Sequence, residues 1–317
     1  MKLGGTFRMK SVMKSENSVV VSNLSVKFGD FYAVKNISFQ VKKGEIFGFL
    51  GANGAGKTTT IKVLCGVQHP TTGDVSVNNE TYKNIGALKK QIGYMSQKFT
   101  LYDDLTVYEN LSFNSSLRKL ERSFFQKRIK ELLDFIGFDY ALDTLVSSLP
   151  GGIKQQVSLV VSMLHDPEVI FLDEPTAGVT PFYRNKFWEL IRMLSKKGKT
   201  VFVTTHYMDE AEYCDRIALM RTGEMIALDS PVNLKKNVFP EPLLEITKLN
   251  ASNNSIDILK NDENIISLLP FGSRYHLILK NKNSLEPFLK KYAGSFFIKE
   301  IEPNLEDVFV RLVEGDR

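Results

Sequence analysis

Cysteine is nearly absent from this chain: 317 residues hold two, Cys65 and Cys214, far apart and without metal-type spacing. That excludes a disulfide framework and a thiolate zinc site, and it points to a reducing compartment in which both thiols pack as small apolar groups. Also missing is any apolar run near the ~18 residues that a membrane-spanning helix requires. The strongest runs, EIFGFL and EVIFL, are strand-sized, so a role at a membrane must come through a partner. Charge of one sign is scarce as well. With 41 basic against 36 acidic residues the net charge is +5, small and scattered, and no nucleic acid is expected as a partner. Residues 1–17 carry lysines with no apolar stretch behind them, which excludes a secretory signal and leaves a flexible tail as the expectation. No internal repeat is visible.

What is present suits a globular α/β protein, with 43% hydrophobic and 24% charged residues and enough chain for one large and one small domain. Two β-rich runs, VVVSNLSVKFG and AVKNISFQVKKG, predict an antiparallel entry before the first helix. Residues 106–165 are helical in pattern. In SFFQKRIKELLDFIGF the side chains of Phe125, Ile129, Leu132, Leu133 and Ile136 share one helix face. VIFLD and TVFVTT then read as strands buried on both faces, separated by a helix around RNKFWELIRMLSKKG. After NVFPEPL the texture changes to short β-like runs with amphipathic stretches between them. The expected division is 1–17 tail, 18–238 main domain with a helical subdomain at about 98–165, and 239–317 a small α+β domain.

The chemistry is carried by GANGAGKTT, residues 51–59. Gly51, Gly56, Lys57 and Thr58 satisfy G-x-x-x-x-G-K-[ST] between a strand and a helix, the context that gives the pattern its meaning. Without Cβ atoms at Gly51, Gly54 and Gly56, and with small Asn53 and Ala55 between, the backbone can close on a phosphate so that amides and a helix N-terminus face the anion. Lys57 adds a mobile positive charge, and the hydroxyl of Thr58 can hold Mg²⁺. Thr59 follows in the same turn. At the end of the second buried strand stand two carboxylates. Asp173 is placed to hold the magnesium shell and Glu174 to polarise an attacking water.

With these motifs in order, the chain resembles the nucleotide-binding subunits of ATP-binding cassette (ABC) transporters. GANGAGKTTTIKVLCG is similar to the family's phosphate loop (Walker A), YMSQKF to its glutamine loop, VIFLDEPTAG to its magnesium and base strand, and TTHYMDEAEYCDR to its histidine switch. The resemblance spans about residues 19–236. It implies a P-loop NTPase (RecA-like) α/β core with an antiparallel β subdomain, an inserted helical subdomain and a small C-terminal α+β domain. ATP and Mg²⁺ are the implied cofactors, with Gln97 sensing metal and water and His206 contacting the γ-phosphate. Phe28 falls where the family lays an aromatic ring on adenine, although by itself it reads as a core residue. The implied partners are a membrane-spanning permease and a second nucleotide-binding subunit, identical or sister, at the cytoplasmic face of the cell membrane.

Three positions depart from that pattern. LPGGIKQQ occupies the signature that usually begins Leu-Ser-Gly-Gly, where one subunit closes on ATP held by the other. Pro150 removes a hydroxyl and an amide donor, while Gly151 and Gly152 keep close approach open. Gln156 stands where an arginine is usual, and Thr180 replaces an aspartate of the intersubunit contact. The ATP-gripping face is therefore expected to be intact and the face offered to a partner weakened. Two readings stay open: an exporter ATPase, suggested by EPNLEDVFVRLVEG and QKFTLYDDLTVYENL, or a nucleotide-dependent switch or degenerate cassette of low turnover that works only beside a second, active one. Residues 99–105 read equally as a dock for the permease or as ordinary loop packing.

Overall fold

The computed structural model describes residues 16–98, 100–249 and 256–314. Most of the expected tail, and Phe99 of the expected docking stretch, lie outside the described residues. By contacts the chain divides into two compact units.

The first unit opens with β1 (Asn17–Phe28) and β2 (Phe31–Lys42), antiparallel with Val21 opposite Phe39 and Val26 opposite Val34. Strand β3 (Ile46–Gly51) is buried along its whole length and runs through a glycine-rich loop into α1 (Lys57–Leu64). Strands β4 (Thr72–Val77) and β5 (Glu80–Thr81) complete a four-stranded sheet in the order β2-β1-β4-β5. Helix α2 (Ile85–Gln91) and strand β6 (Ile92–Met95) follow.

Three helices come next. Helix α3 (Val107–Leu117) starts on a capping box, in which the Thr106 hydroxyl accepts from the Glu109 amide while the Glu109 carboxylate accepts from the Thr106 amide. Helix α4 (Arg122–Ile136) buries the five apolar residues that its periodicity singles out and stops at Gly137, whose φ of +62° suits a residue without Cβ. Helix α5 (Gly151–Met163) begins immediately after Pro150.

Strand β7 (Val169–Asp173), helix α6 (Pro181–Lys196), strand β8 (Thr200–Thr205), the short α7 (Met208–Ala211), β9 (Arg216–Arg221) and β10 (Glu224–Asp229) complete the main sheet, ordered β10-β9-β3-β8-β7-β6. The β9-β3-β8-β7-β6 pairings are parallel. Strands β3, β7 and β8 have no exposed residue, as expected for strands covered on both faces. Phe39 of β2 meets Phe47, Phe49 and Phe202 at centroid distances of 5.5–6.1 Å, which ties the antiparallel sheet to the parallel one. Cys65 and Cys214 are both buried, and neither is in a disulfide.

The second unit contains α8 (Pro231–Val238), β11 (Leu243–Lys248), α9 (Asp257–Lys260), β12 (Ile265–Phe271), β13 (Arg274–Leu279), α10 (Leu285–Tyr292), β14 (Phe296–Ile301) and α11 (Leu305–Glu314). Its antiparallel sheet runs β12-β13-β11-β14, so β11 to β14 form a split β-α-β-β-α-β motif. One sheet face packs Leu244, Ile246, Leu277 and Leu279 on Phe288 and Tyr292 of α10. This unit begins at Ala227 and takes in Met208–Glu212, so the contacts divide earlier than residue 238. The reason is local: α8 and α7 both pack on α11, and Lys235 pairs with Glu212 at 2.9 Å. Among the described residues no helix is long and apolar enough to cross a membrane.

Candidate functional site

The loop between β3 and α1 is shaped by its glycines. A Cβ on Gly51 would run into the Met220 carbonyl and one on Gly56 into the Ala33 carbonyl, while Gly54 and Gly56 adopt φ of +82° and +104°. A larger residue would clash at Gly51, be strained at Gly54 and suffer both at Gly56. Asn53 and Gly54 are exposed at the loop's crest, Ala55 is buried beneath it, and Thr58 and Thr59 are half-buried at the helix start. The Lys57 ammonium is almost wholly buried and curls back over the loop. It donates to the carbonyls of Gly51 at 2.7 Å and Ala52 at 3.2 Å and lies 3.4 Å from Glu174 Oε1.

Six groups from four segments converge beside that ammonium. The Thr58 hydroxyl donates to Asp173 Oδ1 at 3.1 Å, and Thr204 at the end of β8 donates to the same oxygen at 2.6 Å. Burial pushes the Asp173 carboxyl above its ordinary range. The hydroxyls of Thr204 and Thr58 and the charge of Lys57 oppose the rise, and the charge of Glu174 adds to it. Glu174 carries a φ of +47°, uncommon for a residue with a side chain, and its amide is held by the carbonyl and hydroxyl of Thr204. Glu174 Oε2 then accepts from Gln97 Nε2 at 3.0 Å and lies 3.2 Å from His206 Nδ1.

The sequence-selected residues Lys57, Thr58, Gln97, Asp173, Glu174 and His206 thus share one cluster. Thr204 joins them without having been singled out. The sequence shows there only a hydroxyl residue of TTH at the end of a buried strand; its pairing with Asp173 comes from the register of the two strands. Phe28 is 53% exposed at the end of β1, which rules out the core reading; its neighbours Phe31 and Tyr32 are exposed too.

The signature segment lies at the start of α5. Pro150 is the N-cap, and its carbonyl accepts from the amides of Ile153 and Lys154, so the helix begins without the missing hydroxyl. Gly151 is exposed with nothing near its Cβ position. Gly152 is different, because a Cβ there would overlap the Tyr183 side chain of α6. Gln156 is buried, and neither its amide nitrogen nor its oxygen meets a partner among the described residues. Thr180 is exposed at the N-cap of α6 and makes no side-chain cap bond.

A family profile described as ABC transporter matches residues 34–177. The chain is 34% identical over 301 residues to the Nod factor export ATP-binding protein I of Burkholderia lata, covering 92% of this chain and 95% of that protein. It is 42% identical over 248 residues to the probable multidrug ABC transporter ATP-binding protein YbhF of Escherichia coli (strain K12), covering 77% of this chain and 43% of that protein. The chain therefore spans less than half the length of YbhF. Among solved structures, cbiO1 from Clostridium perfringens, part of the ABC transporter complex cbiONQ, superposes with a TM-score of 0.64 at 29% identity over 72% of this chain and 92% of its own. A dimer of the cassette MJ0796 bound to ADP and Pi gives 0.60 at 27%, covering 67% and 98%. A phosphate-binding loop on a P-loop NTPase sheet, with buried carboxylates at the end of β7 two strands away, defines a nucleotide-binding cassette. The chain belongs to the ABC transporter ATP-binding family.

Proposed function

We propose that this chain binds MgATP at residues 51–59, hydrolyses it to ADP and phosphate, and drives a separate membrane permease in an exporter. The observation that carries this reading is the position of Glu174, held between Lys57, Gln97 and His206 beside the loop. In the expected complex the loop amides and the Lys57 ammonium hold the β- and γ-phosphates, the ammonium exchanging its bonds to Gly51 and Ala52 for phosphate oxygens. Thr58 and Asp173 fit a magnesium ion, since both offer hard oxygens about one hydrogen bond apart and Mg²⁺ takes its remaining ligands from phosphate and water. The metal supplies charge neutralisation at the phosphate oxygens. Glu174 orients a water and accepts its proton. Gln97 and His206 hold the Glu174 carboxylate in line, and Phe28, exposed, offers a ring to the adenine. Export as the direction rests on the relatives named for multidrug transport and Nod factor export.

Glu174→Gln keeps the side-chain shape and removes the base. Steady-state phosphate release should fall at least a hundredfold while ATP binding persists. Unchanged release would remove Glu174 from the role.

A second reading is favoured by the signature. Pro150 and Thr180 cap the starts of α5 and α6, and Gln156, whose amide has no partner among the described residues, lies within α5, whereas the phosphate loop is complete. On this reading the chain grips ATP fully and needs a sister cassette with an unaltered signature for efficient turnover. Phosphate release from the chain alone, matched to that of a mixed pair, would exclude it.

A further inference from the structure

The sheet of the C-terminal unit has two faces, and one of them is incompletely filled. Ser267, Leu269 and Phe271 of β12 and His276 and Ile278 of β13 share the face opposite α10, because Ser267 pairs with Ile278 and Leu269 with His276. Helix α11 lies over them through Asp307, Val310 and Arg311, and a pocket of 370 Å³ remains between. Protein interiors close-pack to few voids larger than a water molecule. A cavity of ~150 Å³ already lodges benzene, so this one has room for two fused rings.

Its polar groups define what those rings should carry. Ser267 Oγ is buried and has no hydrogen-bond partner among the described residues. His276 is buried with its Nδ1 2.5 Å from Asp307 Oδ1, while Asp307 Oδ2 accepts from the Asn304 amide at 3.0 Å. Nδ1 faces the carboxylate and donates to it, so Nε2 is the ring nitrogen left to meet a ligand. Charge narrows the class further. Arg311 is already matched by Glu241 at 2.8 and 3.1 Å, so the carboxylates of Glu306 and Asp307 leave the lining negative and hostile to anions.

We propose that this pocket binds a small, largely apolar, neutral or cationic molecule whose head group donates hydrogen bonds to Ser267 and His276, and that its occupancy adjusts turnover. The transmitting element is α11. It packs on α7, and α7 starts two residues after His206, so a displacement of α11 reaches the chain next to the histidine that holds Glu174. This second half rests on the ATPase reading; the binding half does not.

The test uses the full chain and three probes of one shape: 2-naphthol, 2-naphthylmethylamine and 2-naphthoate. Calorimetry should give dissociation constants for the alcohol and the amine at least tenfold below that of the carboxylate. Four histidines occur in the chain, so imidazole nitrogen NMR can follow His276 directly. The His276 signal should move on adding 2-naphthol. Ser267→Ala, a change too small to threaten folding, should weaken 2-naphthol about tenfold, and Leu269→Trp should abolish binding by filling the space. Saturating 2-naphthol should change the rate of phosphate release at least twofold in the parent and not in Leu269→Trp. An unmoved His276 signal, or carboxylate binding as tight as alcohol binding, overturns the site whatever the ATPase does. Binding with unchanged turnover overturns the transmission through α11. A chain that binds 2-naphthol but never releases phosphate upholds the site and overturns the ATPase reading instead.

Discussion

Asp173 ends a strand buried on both faces, and the burial that makes it a good metal ligand also makes it an awkward anion. Its carboxyl is raised in the folded chain, so its stabilising contribution is present below the ordinary carboxylate pKa and is lost as the pH rises through the raised value. Above the raised value and without a divalent cation, ionised Asp173 weakens the fold. Asp173→Asn keeps the shape and still accepts from Thr204 and Thr58. Without metal and nucleotide it should raise the melting temperature by about 2–4 °C at pH 7, with a smaller gain as the pH falls toward 4. Scanning calorimetry of the two proteins checks this, and a lowered melting temperature at pH 7 would contradict it. Lys57, Thr58, Asp173 and Glu174 were legible in the sequence because fixed spacings behind buried strands specify them. Thr204 was not, because its contact with Asp173 depends on the register of β7 against β8, which no local pattern encodes.

At the scale of elements, the starts of α5 and α6 are locked by one close approach, Gly152 against Tyr183. In the sequence that glycine reads as an opening for phosphate; in the fold it also makes room for an aromatic ring. The next residue, Arg184, lies over the Tyr207 ring with a separation of 4.1 Å, and Tyr207 neighbours His206 with ring centroids 4.1 Å apart. Gly152→Ala should therefore destabilise the chain by about 1–3 kcal/mol through overpacking, and Tyr183→Ala in the same chain should recover most of the loss. Urea unfolding of the two single variants and the double variant measures the coupling; additive losses would show that the contact is not the cause. Helix α4 was legible to the residue of its buried face, since amphipathic periodicity is a local signal. The Gly152–Tyr183 contact joins residues 31 positions apart and leaves no such trace.

For the whole molecule, composition and the order of motifs placed an α/β cassette ahead of a smaller α+β unit, and the parallel sheet with its helical insertion follows that outline. The grouping of α7 with the C-terminal unit was not legible, because a four-residue helix carries too little pattern to name its packing partner. The proposed ATPase activity depends on the phosphate loop. Calorimetric titration of the full chain with MgATP tests it most directly. One saturable site per chain is expected, weakened at least tenfold by Lys57→Ala; absence of binding heat in the folded parent, or titration curves that Lys57→Ala leaves unchanged, would contradict it.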